Sequence, residues 1–158
     1  MLDKSSKVAI YMEGHLFTEN GKMGYGALRY LSNEIVAVID SENNGRNTKD
    51  CLPIKRSVPV VNSLDSAISH GAEVLLLGIA NSGGKIPDSW FSVIEDAISK
   101  GLSIINGLHD ELALKYKNSL ILYQWIFDLI TNQYTQPIAT GKDLKINKGE
   151  FAKHYQIR

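Results

Sequence analysis

The 158-residue sequence has one cysteine, Cys51, so no internal disulfide can form. A chain that does without disulfides suits a reducing compartment, and a cytoplasmic setting is the expectation. It has no surplus of either charge, because 17 Lys and Arg balance 17 Asp and Glu. That balance supplies no basic field for nucleic acid or for an anionic membrane surface, so neither is an expected partner. No stretch reaches the roughly 20 apolar residues that span a bilayer. The opening MLDKSSKVAIYMEG carries an acid and only a short apolar run, unlike a signal peptide. His15, His70, His109 and His154 are scattered, with no spacing that would make a metal site. Internal repeats and low-complexity tracts are also missing.

The usual nucleotide motifs are absent too. Gly21, Gly24 and Gly26 run G-x-x-G-x-G and lie well beyond the first apolar run, so the dinucleotide fingerprint G-x-G-x-x-G is not met. Gly21-Lys22 is no Walker A motif, because Gly14 lies too far upstream and Met23 stands where Ser or Thr belongs. Ser82 sits in no G-x-S-x-G elbow.

What the chain does have is a series of short apolar runs separated by helical patterns. With 44% hydrophobic and 22% charged residues it is a globular chain long enough to bury a core. Lys7–Met12, Ile35–Ile39, Val58–Val61, Val74–Ile79 and Leu102–Ile105 are each too short for a stable helix and read as strands buried on both faces. A sixth strand is expected around Trp125–Asp128. Short helices are expected at Gly24–Leu31, after Asn62 or Ser63, over Pro87–Lys100 and from Asp110 to Tyr116. Gly71 and Gly101 stand where helices stop. The stretches His15–Met23 and Ser41–Asp50 read as loops. The sum is an α/β fold, Rossmann-like, with a mostly parallel sheet of about five or six strands and helices on both faces. Residues 1–131 form that domain, and the polar, lysine-rich 132–158 reads as a linker or the start of a truncated second domain.

In such a sheet the ligand lies outside the carboxyl ends of the strands, at the switch in strand order. This rule gathers Glu13 and Gly14, Asp40, the turn Asn81, Ser82, Gly83, Gly84, and the exit loop Asn106–His109. LLLGIANSGGKIPDSW, from Leu75 to Trp90, is the most distinctive stretch: strand, glycine turn, then a helix opened by Pro87. That geometry suits an anion, or serves only as a βα turn that needs glycine. Asp40 stands where a carboxylate would hold a ribose diol, or it caps a loop. Lys22, Arg29 and Lys85 are candidate anion contacts, or solvated charges. His109, beside Asp110, is the candidate general base or ligand-binding imidazole, or a loop histidine bonded to local backbone.

Taken together, EG (Glu13, Gly14), K-x-G with RY (Lys22, Gly24, Arg29, Tyr30), AVID with a following glycine (Ala37–Asp40, Gly45), GIANSGGKIPDSW and GLH (Gly107–His109) resemble the N-terminal Rossmann-like domain of the DUF1611 family. The resemblance covers about Lys7 to Thr140. Some members of that family are described as D-glutamate N-acetyltransferases, and members continue into a P-loop domain. PIATG (Pro137–Gly141) looks like the lead-in to that domain, yet no G-x-x-x-x-G-K-[ST] occurs in the sequence. The resemblance therefore implies the ligand-binding front half of such a protein, not catalytic without the P-loop domain. The implied partners are a small-molecule ligand and either further copies of the chain or a separate P-loop domain. Acetyl-CoA or a nucleotide is the candidate cofactor. The alternatives are an NAD(P)- or CoA-binding Rossmann-type protein, and a non-enzymatic module that pairs through a late apolar cluster (Trp125, Ile126, Phe127, Ile130).

Overall fold

The computed structural model describes residues 2–110, 112–116 and 122–124. Six parallel strands form one sheet in the order β3-β2-β1-β4-β5-β6. The strands are β1 (Val8–Tyr11), β2 (Ile35–Ile39), β3 (Val60–Val61), β4 (Val74–Leu77), β5 (Ser103–Asn106) and β6 (Leu122–Gln124). This is the doubly wound order, and the chain reverses its direction of growth between β1 and β4. The strand expected at Trp125–Asp128 falls outside the described residues, while β6 pairs in parallel with β5 just ahead of it.

Alternation along the strands sorts the core into two layers. Ala9, Tyr11, Ala37, Ile39, Leu75, Leu77 and Ile104 face one side. Val8, Ile10, Met12, Val38, Leu76 and Ile105 face the other. Because both faces are covered, β1, β2 and β4 read as unbroken apolar runs rather than alternating ones. Helix α1 (Lys22–Tyr30) covers the second layer with Ala27 and Leu28. Helices α3 (Leu64–Ser69) and α4 (Phe91–Ser99) cover the first with Leu64, Ala67, Ile94 and Ala97. Right-handed crossovers dictate this split: a sheet that grows one way through α1 and the other way through α4 must place them on opposite faces.

Local chemistry fixes the helix ends. The Ser63 hydroxyl accepts from the Ser66 N–H and caps α3. Gly71 and Gly101 follow α3 and α4 with φ of 91° and 81°, the left-handed conformation that ends a helix on glycine. Several boundaries differ from the sequence expectation: β3 keeps only Val60–Val61 of the expected Val58–Val61, and β4 ends at Leu77 rather than Ile79. Helix α1 begins at Lys22 after a 3-10 turn over Glu19–Gly21, so half of the expected loop is helical. The polar stretch after β2 contains a 3-10 turn over Ser41–Asn43 and a short helix α2 (Thr48–Cys51), capped by the Asn47 side chain. Pro87 does not open α4. It precedes a 3-10 turn over Asp88–Trp90, and α4 starts only at Phe91. A last short helix, α5 (Leu112–Lys115), follows β5, and its Leu112 joins the first layer.

Candidate functional site

The switch between β1 and β4 is where an open sheet usually leaves a crevice, and here the chain closes it on itself. The Gly24 N–H donates to the Gly78 carbonyl at 2.7 Å, and the Ala80 N–H donates to the Asn20 carbonyl at 2.8 Å. Met12, fully buried, lies against the glycines. A Cβ on Gly24 would overlap its Sδ, and one on Gly78 would lie 2.7 Å from both Met12 Cγ and Ile10 Cγ2. Gly21 and Gly24 therefore let a helix approach a strand, and a methionine fills the space that a phosphate would need.

The glycine turn after β4 makes a second seam. The Gly84 N–H donates to the Asn81 carbonyl at 3.1 Å and closes a β-turn, with Gly83 and Gly84 at φ of 83° and 62°. The turn is then stitched to the loop after β5. The His109 N–H donates to the Gly84 carbonyl at 2.6 Å, and the Ile86 N–H donates to Asp110 Oδ2 at 2.6 Å. A Cβ on Gly84 would lie 2.7 Å from His109 Cε1 and Nδ1, so the imidazole rests directly on this glycine. Asn81 holds its own turn by donating to the Lys85 carbonyl. Asn106 is buried and ties its exit loop, donating to the Asp110 carbonyl at 2.8 Å and accepting from the Leu108 N–H at 2.9 Å. Asn81, Gly83, Gly84, Asn106 and His109 thus come together as one lip at the carboxyl edge, with Ser82 exposed at its tip.

Asp40 is fully buried. Its Oδ2 accepts from the Leu16 N–H and from the Asn43 side chain, both at 3.2 Å. It pins the loop after β1 to the turn after β2, and its Oδ1 has no partner among the described residues. Lys22 and Arg29 lie apart. Lys22 is the exposed first residue of α1, while Arg29 is exposed in the last turn, toward the other edge of the sheet.

The open space at the carboxyl edge lies on the other side of β1. A groove of about 430 Å³ runs between the ends of β1, β2 and β3 and the helices α3 and α4. Tyr11 and Glu13 form one end, Ser41 and Asn62 a wall, and Asp65, Ser92 and Asp96 the far side. Glu13 is held in place because its Oε2 accepts from the Ser41 N–H at 2.9 Å and its Oε1 from the Ser41 hydroxyl. Tyr11 is only 8% exposed and stands edge-on to Trp90, with ring centroids 4.5 Å apart. Burial, reinforced by the charges of Glu13 and Asp40, pushes its hydroxyl pKa up to about 12, so it stays a neutral phenol. At the far end Lys100 donates to Asp65 at 2.6 Å and to Asp96 at 2.7 Å, and these bonds raise the ammonium's pKa.

Glu13 is the only one of the expected site residues that lines this groove. The rest of the wall follows the end of β3, which the sequence places correctly at Val61, and comes from helices α3 and α4. The strand-end rule, applied to β3 as to its neighbours, would have added Asn62, and the residue after Asp40 would have added Ser41. Among the described residues no three His, Cys, Asp or Glu side chains converge as metal ligands. No helix among them is long and apolar enough to cross a membrane.

This architecture defines a Rossmann-like domain with an open groove on the β1–β2–β3 side. Residues 41–122 match the family described as "Domain of unknown function (DUF1611_N) Rossmann-like domain", and the chain belongs to that DUF1611 family. It is similar to the crystal structure of a DUF1611 family protein from Anabaena variabilis ATCC 29413, with a TM-score of 0.65 and 38% identity. That match covers 69% of this chain and 32% of that one. Over 50 residues it is 44% identical to a D-glutamate N-acetyltransferase of a Pseudoalteromonas species, and 40% identical to one of Tritonibacter scottomollicae. Those stretches make up 32% of this chain and 15% of each relative. The chain thus matches only a small part of the length of these curated relatives.

Proposed function

We propose that this chain is the ligand-binding half of a DUF1611-type protein related to D-glutamate N-acetyltransferases, and that it performs no acetyl transfer by itself. The observation that carries this reading is the groove beside the carboxyl ends of β1, β2 and β3, on the edge of the sheet that carries ligands in doubly wound folds but displaced from the closed switch point. Its polar wall includes the Glu13 carboxylate held by Ser41 and the Asp65 and Asp96 carboxylates held by Lys100, so a small polar molecule finds partners already in place. The lip built from the glycine turn and His109 is the second feature at this edge. It offers a surface for a P-loop domain or for another copy of the chain, with the imidazole exposed to whatever docks.

A nucleotide or CoA bound by its phosphates at the glycine stripe has less support, because Met12 fills that space. The late apolar cluster of the interaction-module alternative lies outside the described residues. The test is a titration of the folded chain with D-glutamate, acetyl-CoA, ATP, NAD and simple amines, followed by amide chemical shifts. Saturable changes at Glu13, Ser41, Asn62 and Ser92, with no acetyl-D-glutamate formed by the chain alone, are the expected outcome. If the groove amides stay still with every compound, the ligand-binding reading fails. Acetyl transfer by the chain alone would overturn the division of labour.

A further inference from the structure

We infer that the groove takes a small organic cation, with an ammonium or guanidinium held at the Glu13–Tyr11 end. This rests on the reading of the groove as the ligand site and adds the sign of its ligand. Three carboxylates stand around the groove, from Glu13, Asp65 and Asp96, and among the described residues no lysine or arginine lines it. The far end already shows what such walls bind, because the Lys100 ammonium sits between Asp65 and Asp96 at 2.6 and 2.7 Å. The Glu13 end has no such cation. Among the described residues its carboxylate receives only the Ser41 N–H and hydroxyl, and no cation pairs with it.

Tyr11 provides the independent observation. The side chain is more than nine-tenths buried and lines the groove, yet its hydroxyl makes no hydrogen bond among the described residues. Nor is that oxygen among the sealed, unpartnered polar atoms, which are Asp40 Oδ1 and Asn81 Oδ1. The side chain is buried but its hydroxyl is left open to the groove beside a carboxylate, so it is free to accept from a ligand donor there. An ammonium can donate to both the Glu13 carboxylate and the Tyr11 oxygen. A phosphate or a carboxylate at this end would meet the Glu13 carboxylate, while the Lys100 ammonium at the far end is already engaged by Asp65 and Asp96.

The test compares putrescine with 1,4-butanediol, which has the same carbon chain and no charge, on the full chain by amide chemical shifts. Putrescine is expected to move Glu13, Ser41, Asn62 and Ser92 and to bind at least about tenfold more tightly than the diol. Glu13→Gln should weaken it by about tenfold and Tyr11→Phe by about fivefold, the cost of losing a bond to a charged donor. Lys100→Met should strengthen it by freeing Asp65 and Asp96. Equal binding of diol and putrescine, a putrescine Kd weaker than about 10 mM, or tighter binding of ATP or acetyl-CoA at the same amides would each overturn the inference. If D-glutamate, acetyl-CoA or ATP moves those amides and putrescine does not, the groove remains the ligand site and only its proposed charge preference falls. If nothing moves them, both readings fall.

Discussion

Gly84 carries two constraints that a side chain would violate at once. Its φ of 62° costs an L-residue about 1–2 kcal/mol, and the His109 ring occupies the place of its Cβ. Gly84→Ala is expected to destabilise the chain by about 2 kcal/mol in urea unfolding. Removing the imidazole as well, in Gly84→Ala/His109→Ala, should return about 1 kcal/mol of that loss, since the backbone strain remains and only the clash is relieved. Additive single-variant effects would mean that the ring does not rest on the glycine. Tyr11 gives a prediction with a pH sign. Its hydroxyl pKa is raised from 10 unfolded to about 12 folded, so the native state holds the proton more tightly. The resulting stabilisation is fully present below pH 10 and disappears as pH rises toward 12. Lysines titrate in the same window, so the difference between wild type and Tyr11→Phe isolates the effect. The variant should lose about 2 kcal/mol less than wild type across that window. Parallel stability curves would show that the phenol is not held neutral by its surroundings.

The elements show why some of this was legible in the sequence. KVAIYM, IVAVI and VLLL could be read as buried parallel strands because helices cover both faces and leave no polar position to confuse the pattern. The start of α1 was not legible. Gly24 and Gly26 lower helix propensity in its first turns, and contact with Met12 and Gly78 supplies what propensity lacks. Helix α2 is four residues in a turn-rich stretch, held by the Asn47 cap and a buried Leu52, and carries no periodicity to read. The candidate site was legible only in part. Glu13 was found through β1, while Asn62, which follows the equally recognisable end of β3, reads from sequence only as a helix cap. The packing of α1 on the sheet is itself testable. Gly24→Ala meets the flexible end of Met12, whereas Gly78→Ala meets the stiff Cγ2 of Ile10 and the Tyr11 carbonyl as well. Both should destabilise, by about 1–3 kcal/mol, with Gly78→Ala the more costly. Chemical denaturation of the pair decides it, and the reverse order would show that Met12 has no room to yield.

At the scale of the whole molecule, stability should follow the strand order and not the sequence order. β1 is hydrogen-bonded on both sides, to β2 and β4, and Val8, Ala9 and Ile10 are completely buried between the two core layers. Its neighbours β2 and β4 are likewise paired on both sides. β3 is only two residues long and pairs, within the sheet, with β2 alone. Amides whose opening requires the whole sheet to separate exchange with the global unfolding free energy, and those at a short edge exchange through local openings. Native-state hydrogen exchange is therefore expected to place Ala9, Ile10, Ala37 and Leu76 in the slowest group. Val60 and Val61 should exchange at least about tenfold faster, corresponding to about 1.4 kcal/mol of lower opening cost. This gradient has a functional side, because the groove is bounded by both kinds of strand. Tyr11 and Glu13 sit at the end of the doubly paired β1, and Asn62 and Ser63 follow the two-residue β3. A ligand that bridges them should slow exchange at Val60 and Val61 while leaving Ala9 and Ile10 unchanged. Uniform slowing across all strands would instead show that the ligand stabilises the sheet as one unit.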